Sequence, residues 1–141
     1  MELSHCVTAE CAVPAEKAFS FMMDGKRLGQ WAIGAFNTTV RSDGVFVGTS
    51  LFDGSTIYGR SVGDPQRMVI DYHVGSSADR LTPRIMAKIV PGPVSGRPAG
   101  TCLVTMIAWR DAGMDDARWH RLKVSHEAEI VLIQAQIERG L

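Results

Sequence analysis

DDARWHRLKVSHEAEIVLIQAQIER, residues 115–139, decides how the chain folds. Asp115 and Asp116 stand where a helix N-terminus favours negative charge, and Gly140 follows the last periodic residue, where a helix is expected to stop. At 100° per residue, Trp119, Leu122, His126, Ile130, Ile133 and Ile137 fall within a sector of about 80°. Arg118, Arg121, Lys123, Glu127, Gln134 and Glu138 mostly lie outside it and read as a solvated face. The pattern predicts one long amphipathic helix, with a histidine in the middle of its apolar stripe.

Upstream the period changes. His5 to Val13 alternates and ends at Pro14, which reads as a strand closed by a helix start. Ala15 to Met23 places Ala18, Phe19 and Met22 on one face, Asp24-Gly25 ends that helix, and Lys26 to Trp31 makes a further short turn. Six strands are then expected: Phe36–Ser42, Val45–Phe52, Thr56–Val62, Arg67–Val74, Arg84–Val90 and Thr101–Arg110. The breaks carry turn residues (Asp43-Gly44, Asp53-Gly54, Gly63-Asp64-Pro65), and their shortness means antiparallel hairpins rather than crossovers. Pro91 to Gly100 is the longest irregular stretch and reads as a mobile hairpin loop. Gly48 and Gly59, inside strands, read as bulge positions that help a sheet curl. No linker or repeat interrupts this order, so residues 1–141 are expected to form a single domain.

The totals narrow the function classes. The chain has 141 residues, with 45% hydrophobic and 21% charged residues, which fits one globular core. Lys+Arg and Asp+Glu number 15 each. A zero net charge argues against gripping nucleic acid or an anionic membrane. No signal-like segment or membrane-length apolar run occurs, and the expectation is a cytoplasmic protein. Cys6, Cys11 and Cys102 make an odd count with no CxxC and no zinc spacing, so buried reduced thiols are expected and neither metal nor cofactor is implied. Phosphate-binding loops, GxGxxG, HExxH and GxSxG are absent, which disfavours nucleotide-driven chemistry, nicotinamide redox and serine hydrolysis.

The order strand, helix pair, six strands, long helix resembles the helix-grip fold of the START and birch-pollen-allergen superfamily, also called SRPBCC. Val13-Pro14-Ala15, Leu28-x-x-Trp31, Asp71-Tyr72-His73-Val74-Gly75 and Trp109-Arg110 look like segments of its polyketide-cyclase-like bacterial members. The resemblance implies an α+β architecture in which a curved antiparallel sheet of about seven strands wraps a long C-terminal helix around a cavity. It supports the activity poorly, because one fold hosts many functions.

Such a cavity puts the question on inward polar residues. His126 is the candidate catalytic or ligand-contacting group, as acid-base or as hydrogen-bond partner; the alternative is a core histidine satisfied by a backbone carbonyl. Glu129, one turn on, either orients His126 or faces water. In the Arg67–Val74 strand, Met68, Ile70, Tyr72 and Val74 share the apolar face, so Tyr72 would offer its hydroxyl to the cavity while Asp71 and His73 point outward. Arg84 is expected outward or at the rim; inward, it would mean a carboxylate ligand. Phe36, Phe52 and Trp109 read as core, whereas Trp31 and Trp119 are expected near the cavity mouth. The expected ligand-binding set is therefore Trp31, Tyr72, Trp119, Leu122, His126, Glu129 and Ile130.

Three functions fit these residues. The first is binding of a small hydrophobic ligand: a lipid, a polyketide or an aromatic metabolite. The second is a cyclase or dehydratase in which His126, with Tyr72 or Glu129, moves protons. The third is an interaction module of the chaperone-activator type, which would show an exposed patch instead. A homodimer through the outward sheet face is compatible with any of them.

Overall fold

The computed structural model describes residues 1–140. Seven strands form one antiparallel sheet in the order β1-β7-β6-β5-β4-β3-β2. They are β1 (Ser4–Cys11), β2 (Phe36–Val40), β3 (Phe46–Thr49), β4 (Thr56–Asp64), β5 (Val69–Gly75), β6 (Thr82–Pro91) and β7 (Cys102–Trp109). Hairpins join β2 through β7 in sequence, and β1 closes the order by pairing with β7, Cys11 directly opposite Cys102. Both of those thiols are fully buried and free, whereas Cys6 is exposed. The α+β helix-grip architecture read from the sequence is the observed one.

Two short helices follow β1. Pro14 stands at the N-cap of α1 (Ala15–Met23), and Ala15, Ala18, Phe21 and Met22 form its buried face. Asp24 then caps α2 (Gly25–Leu28), its Oδ1 accepting from the N–H groups of Lys26 at 2.9 Å and Arg27 at 3.4 Å. Thr38 of β2 pins α2 to the sheet: its hydroxyl donates to the Gly25 carbonyl and accepts from the Gly29 N–H at 3.1 Å.

The long helix α3 (Asp116–Glu138) is capped by Asp115, which accepts from the Arg118 N–H at 2.8 Å. Its C-terminal half belongs to the main core: Ile130, Ile133 and Ile137 pack with Cys11, Ala15, Ala18 and Met22. Burying each isoleucine contributes about 1.5–3 kcal/mol. This half anchors the helix; the N-terminal half stands over the open concave side of the sheet.

Three local expectations are corrected. Gly59 sits in uninterrupted register with both neighbouring strands and is not a bulge, whereas Gly48 lies opposite an irregularity of β2, between Thr49 paired with Phe36 and Val47 paired with Thr39. Both glycines are sites of close approach: a Cβ on Gly59 would run into the Phe46 ring, and one on Gly48 into the Ala35 backbone. Two irregularities interrupt the sheet, within Phe36–Thr39 of β2 and opposite the Tyr72–His73 step of β5. Pro91 to Gly100 contains a turn of 3-10 helix at Gly92–Ser95 and is tied to β1 through Arg97 Nε and Glu10 Oε2 at 3.1 Å. Phe36, Phe52 and Trp109 are exposed rather than core. Each lies at a strand end or in a turn, and Phe52 and Trp109 border the cavity described below.

The Phe46 contact gives a direct test. Gly59→Ala is expected to lower stability by about 1–3 kcal/mol through overpacking, read as a drop in thermal midpoint by circular dichroism. An unchanged midpoint would mean that the Phe46 ring can move aside.

Candidate functional site

The sector between α3, the helix-pair loop and the concave side of the sheet encloses a cavity of about 600 Å³. That volume is in the range of small-molecule sites. Its helical wall comes from Arg118, Arg121, Leu122, Ser125, His126 and Glu129. The spacing i, i+3, i+4, i+7, i+8, i+11 is one helix face. Along that face the side chains change from cationic and exposed, at Arg118 and Arg121, to fully buried at His126 and Glu129. Opposite stand Trp31 after α2, Tyr72 of β5, Ile85 of β6 and Met106 of β7.

His126 is 1% exposed, and neither ring nitrogen has a hydrogen-bond partner. Its ring lies 5.6 Å from that of His5 on β1. The His5 Nε2 in turn is 3.7 Å from the Glu127 carboxylate. Burial first, and the neighbouring His5 second, hold the His126 imidazole down at about 4, so it is neutral near pH 7. The satisfied core histidine anticipated as the alternative is not what the fold contains.

Glu129 is buried rather than solvated, because the chain leaving α2 covers the helix at that point. Its Oε2 accepts a 2.8 Å hydrogen bond from the Ile33 N–H. Burial pushes its carboxyl up to about 8, although the Ile33 bond acts the other way. One helical turn therefore carries a carboxylic acid that keeps its proton at neutral pH and an imidazole that takes none.

Trp31 is 3% exposed, and its indole N–H is a buried donor without an acceptor. It meets Tyr72 edge-on, with ring centroids 6.3 Å apart. Tyr72 lines the cavity with its ring only: its hydroxyl donates to the Met22 carbonyl at 2.7 Å, so the expectation that it would be offered to a ligand is corrected. Leu122 lines the wall. Ile130 belongs to the main core and is not among the cavity residues. Trp119 also lies elsewhere, its Nε1 donating to Glu2 at 2.8 Å beside a separate surface recess. The apolar stripe spans two faces, one toward β1 and one toward the cavity, and an 80° sector does not separate them.

Four arginines line the cavity although none was expected inside: Arg80, Arg84, Arg118 and Arg121. Periodicity alone assigns Arg118 and Arg121 to solvent. The six-residue spacing above is the signal that places them on the cavity side. Arg84 falls opposite the β5 irregularity, where Tyr72 pairs with Ile85 but His73 with Pro83. The extra residue breaks alternation, so strand parity could not place it. Among the described residues no cluster of three His, Cys, Asp or Glu side chains could hold a metal, and no helix is long and apolar enough to cross a membrane.

No family model and no curated protein matches the chain. Solved structures do. An aromatase/cyclase from a Streptomyces species matches with a TM-score of 0.67 and 16% identity, over 96% of this chain and 93% of its own. A START superfamily protein from Mycobacterium smegmatis matches with a TM-score of 0.66 and 14% identity, over 99% and 100%. The di-domain aromatase/cyclase BexL matches with a TM-score of 0.69 and 16% identity over 98% of this chain, which spans 47% of BexL. The chain has the helix-grip fold that these solved structures share.

The two buried titrating groups make opposite contributions to stability. An ordinary glutamate titrates at 4.5 and folded Glu129 at about 8, so the unfolded chain releases that proton first and stability falls as pH rises from 4.5 to 8. An ordinary histidine titrates at 6.5 and folded His126 at about 4, so stability falls as pH drops from 6.5 to 4. The slopes cancel between 4.5 and 6.5, and above 6.5 the Glu129 loss stands alone. Glu129→Gln, which keeps an acceptor for Ile33, should remove about 2 kcal/mol of alkaline destabilisation between pH 6.5 and 8. Thermal melts across that interval test it: parallel curves for the two proteins would mean that Glu129 ionises normally.

Proposed function

We propose that the protein binds a small hydrophobic molecule, of the lipid, polyketide or aromatic-metabolite class, in the cavity beneath α3. The observation that carries this reading is the pairing of a cavity of about 600 Å³ with two fully buried polar side chains lacking partners, His126 and Trp31. An unsatisfied buried polar group costs about 1–3 kcal/mol. A ligand carbonyl or hydroxyl reaching the indole N–H and the imidazole removes that cost. The aromatic and aliphatic walls supply the remaining binding energy through burial.

A second reading rests on the Glu129–His126 turn. A proton-holding carboxyl and an unprotonated imidazole in a desolvated pocket suit dehydration, the step a cyclase of this type would perform. The acid would donate its proton to a departing hydroxyl while the imidazole removes one from the neighbouring carbon. The aromatase/cyclase neighbours lend this reading support through fold alone.

The binding reading is tested with the neutral fluorophore N-phenyl-1-naphthylamine. One equivalent should bind with a blue-shifted, enhanced emission, and Leu122→Trp, which fills the cavity from α3, should weaken binding by roughly tenfold or more. Emission that does not change, or binding indifferent to Leu122→Trp, would refute it. For His126, replacement by Leu should preserve stability or raise it by about 1 kcal/mol at neutral pH, since it removes an unpaired polar group. A lowered thermal midpoint would show that the imidazole has a structural partner.

A further inference from the structure

The cavity has a cationic entrance. Arg80, Arg118 and Arg121 are exposed and Arg84 is half-buried, yet all four line it, and no lysine does. Arg80 and Arg118 make no ion pair among the described residues. Arg121 stacks over the Phe52 ring, 4.7 Å from its centroid, which presents the guanidinium without neutralising it. Arg84 has a partial partner in Asp111, at 3.5 Å.

Two acids share the lining. Glu129, at the deep end, keeps its proton at neutral pH. Asp53, at the entrance, is ionised, but its Oδ1 is occupied by the Ser55 N–H at 3.0 Å and the Ser55 hydroxyl at 2.7 Å. Four guanidinium groups thus face one ionised carboxylate on the cavity lining. Guanidinium groups held beside an apolar cavity suit a planar or tetrahedral oxyanion, which they bind through paired N–H donors. A second and independent sign of a ligand is deeper in the same cavity: the indole N–H of Trp31 and both nitrogens of His126 are fully buried and without partners.

From Arg118 to Glu129 the helix wall advances eleven residues, about 16 Å at the α-helical rise. We infer that the ligand is an anionic amphiphile: an acid head group, carboxylate or phosphate, held by the arginines of the entrance, and an apolar body extending toward Trp31 and His126. This rests on the cavity-binding reading above and specifies its ligand class.

The test compares dodecanoate, dodecyl phosphate and dodecanol, which share a chain and differ in head group, by displacement of N-phenyl-1-naphthylamine. Dodecanoate or dodecyl phosphate should bind at least roughly tenfold tighter than dodecanol, and whichever of the two acids is tighter identifies the head group. In Arg80→Gln/Arg118→Gln the ratio of acid to alcohol affinity should fall toward one. Arg67→Gln, at an exposed site outside the cavity, should keep the wild-type ratio. Dodecanol binding as tightly as both acids, or an acid preference that survives the double substitution, overturns the inference and leaves the cavity reading intact. If neither the fluorophore nor any dodecyl ligand binds, the cavity reading itself fails and the inference falls with it.

Discussion

The structure depends on α3 packing tightly at one end and standing off the sheet at the other. Ile130, Ile133 and Ile137 close against Ala15, Ala18 and Met22, and small alanines on α1 let the helix axes approach. Interiors tolerate few voids, so a half-packed helix is stable only if its packed half outweighs the unpacked one. About three turns of the same helix carry Arg118, Arg121, Leu122, Ser125, His126 and Glu129 toward the hollow. Apart from Leu122, none of these can fill it as a leucine layer would. The opening is therefore written into the helix itself, as a change from branched apolar side chains to polar ones along its length.

That change has a cost which shapes the site's chemistry. Buried in a partly apolar wall, Glu129 holds its proton and His126 refuses one, both because the charged forms lose water that the surroundings do not replace. The Ile33 N–H compensates Glu129 in part and ties the chain after α2 down onto the helix. His126 and Trp31 have no such compensation. The protein is less stable for holding them.

Legibility in the sequence follows this division. The fold was readable because it rests on periodicity: turn residues separate the strands, Pro14 and Asp24 mark the helix pair, and Asp115 and Gly140 bound the last helix. His126 was readable for a related reason, since a histidine in an apolar stripe contrasts with its neighbours. Glu129 was not, because its burial comes from a loop ninety-six positions away in sequence, through Ile33. The Tyr72 hydroxyl was misjudged in the same manner: strand parity places the ring, but Met22 on another element captures the OH. Trp119 and Ile130 share the stripe with the cavity residues, and only the position of β1 assigns them to the other side. Arg84 escaped because a strand irregularity erases the alternation on which parity relies.

The arginines expose a bias in reading helices by hydrophobicity. A sector analysis assigns charged residues to solvent, and for Arg118 and Arg121 that is half correct, since both are exposed. Yet they also line the cavity, because a hollow at a helix's N-terminal end opens to water where its first two turns lie. Exposure and membership of a cavity lining are compatible at an entrance, and arginine suits that position: its stem packs on apolar surface while its head stays wet. The stacking of Arg121 on Phe52 shows the same adaptation, and it accounts for an exposed phenylalanine that burial alone would leave unexplained. Along α3 the wall thus runs from charge, through apolar surface, to neutral hydrogen-bonding groups. A molecule that satisfied all three zones would itself be graded in the same order, a narrower description than the shared fold supplies.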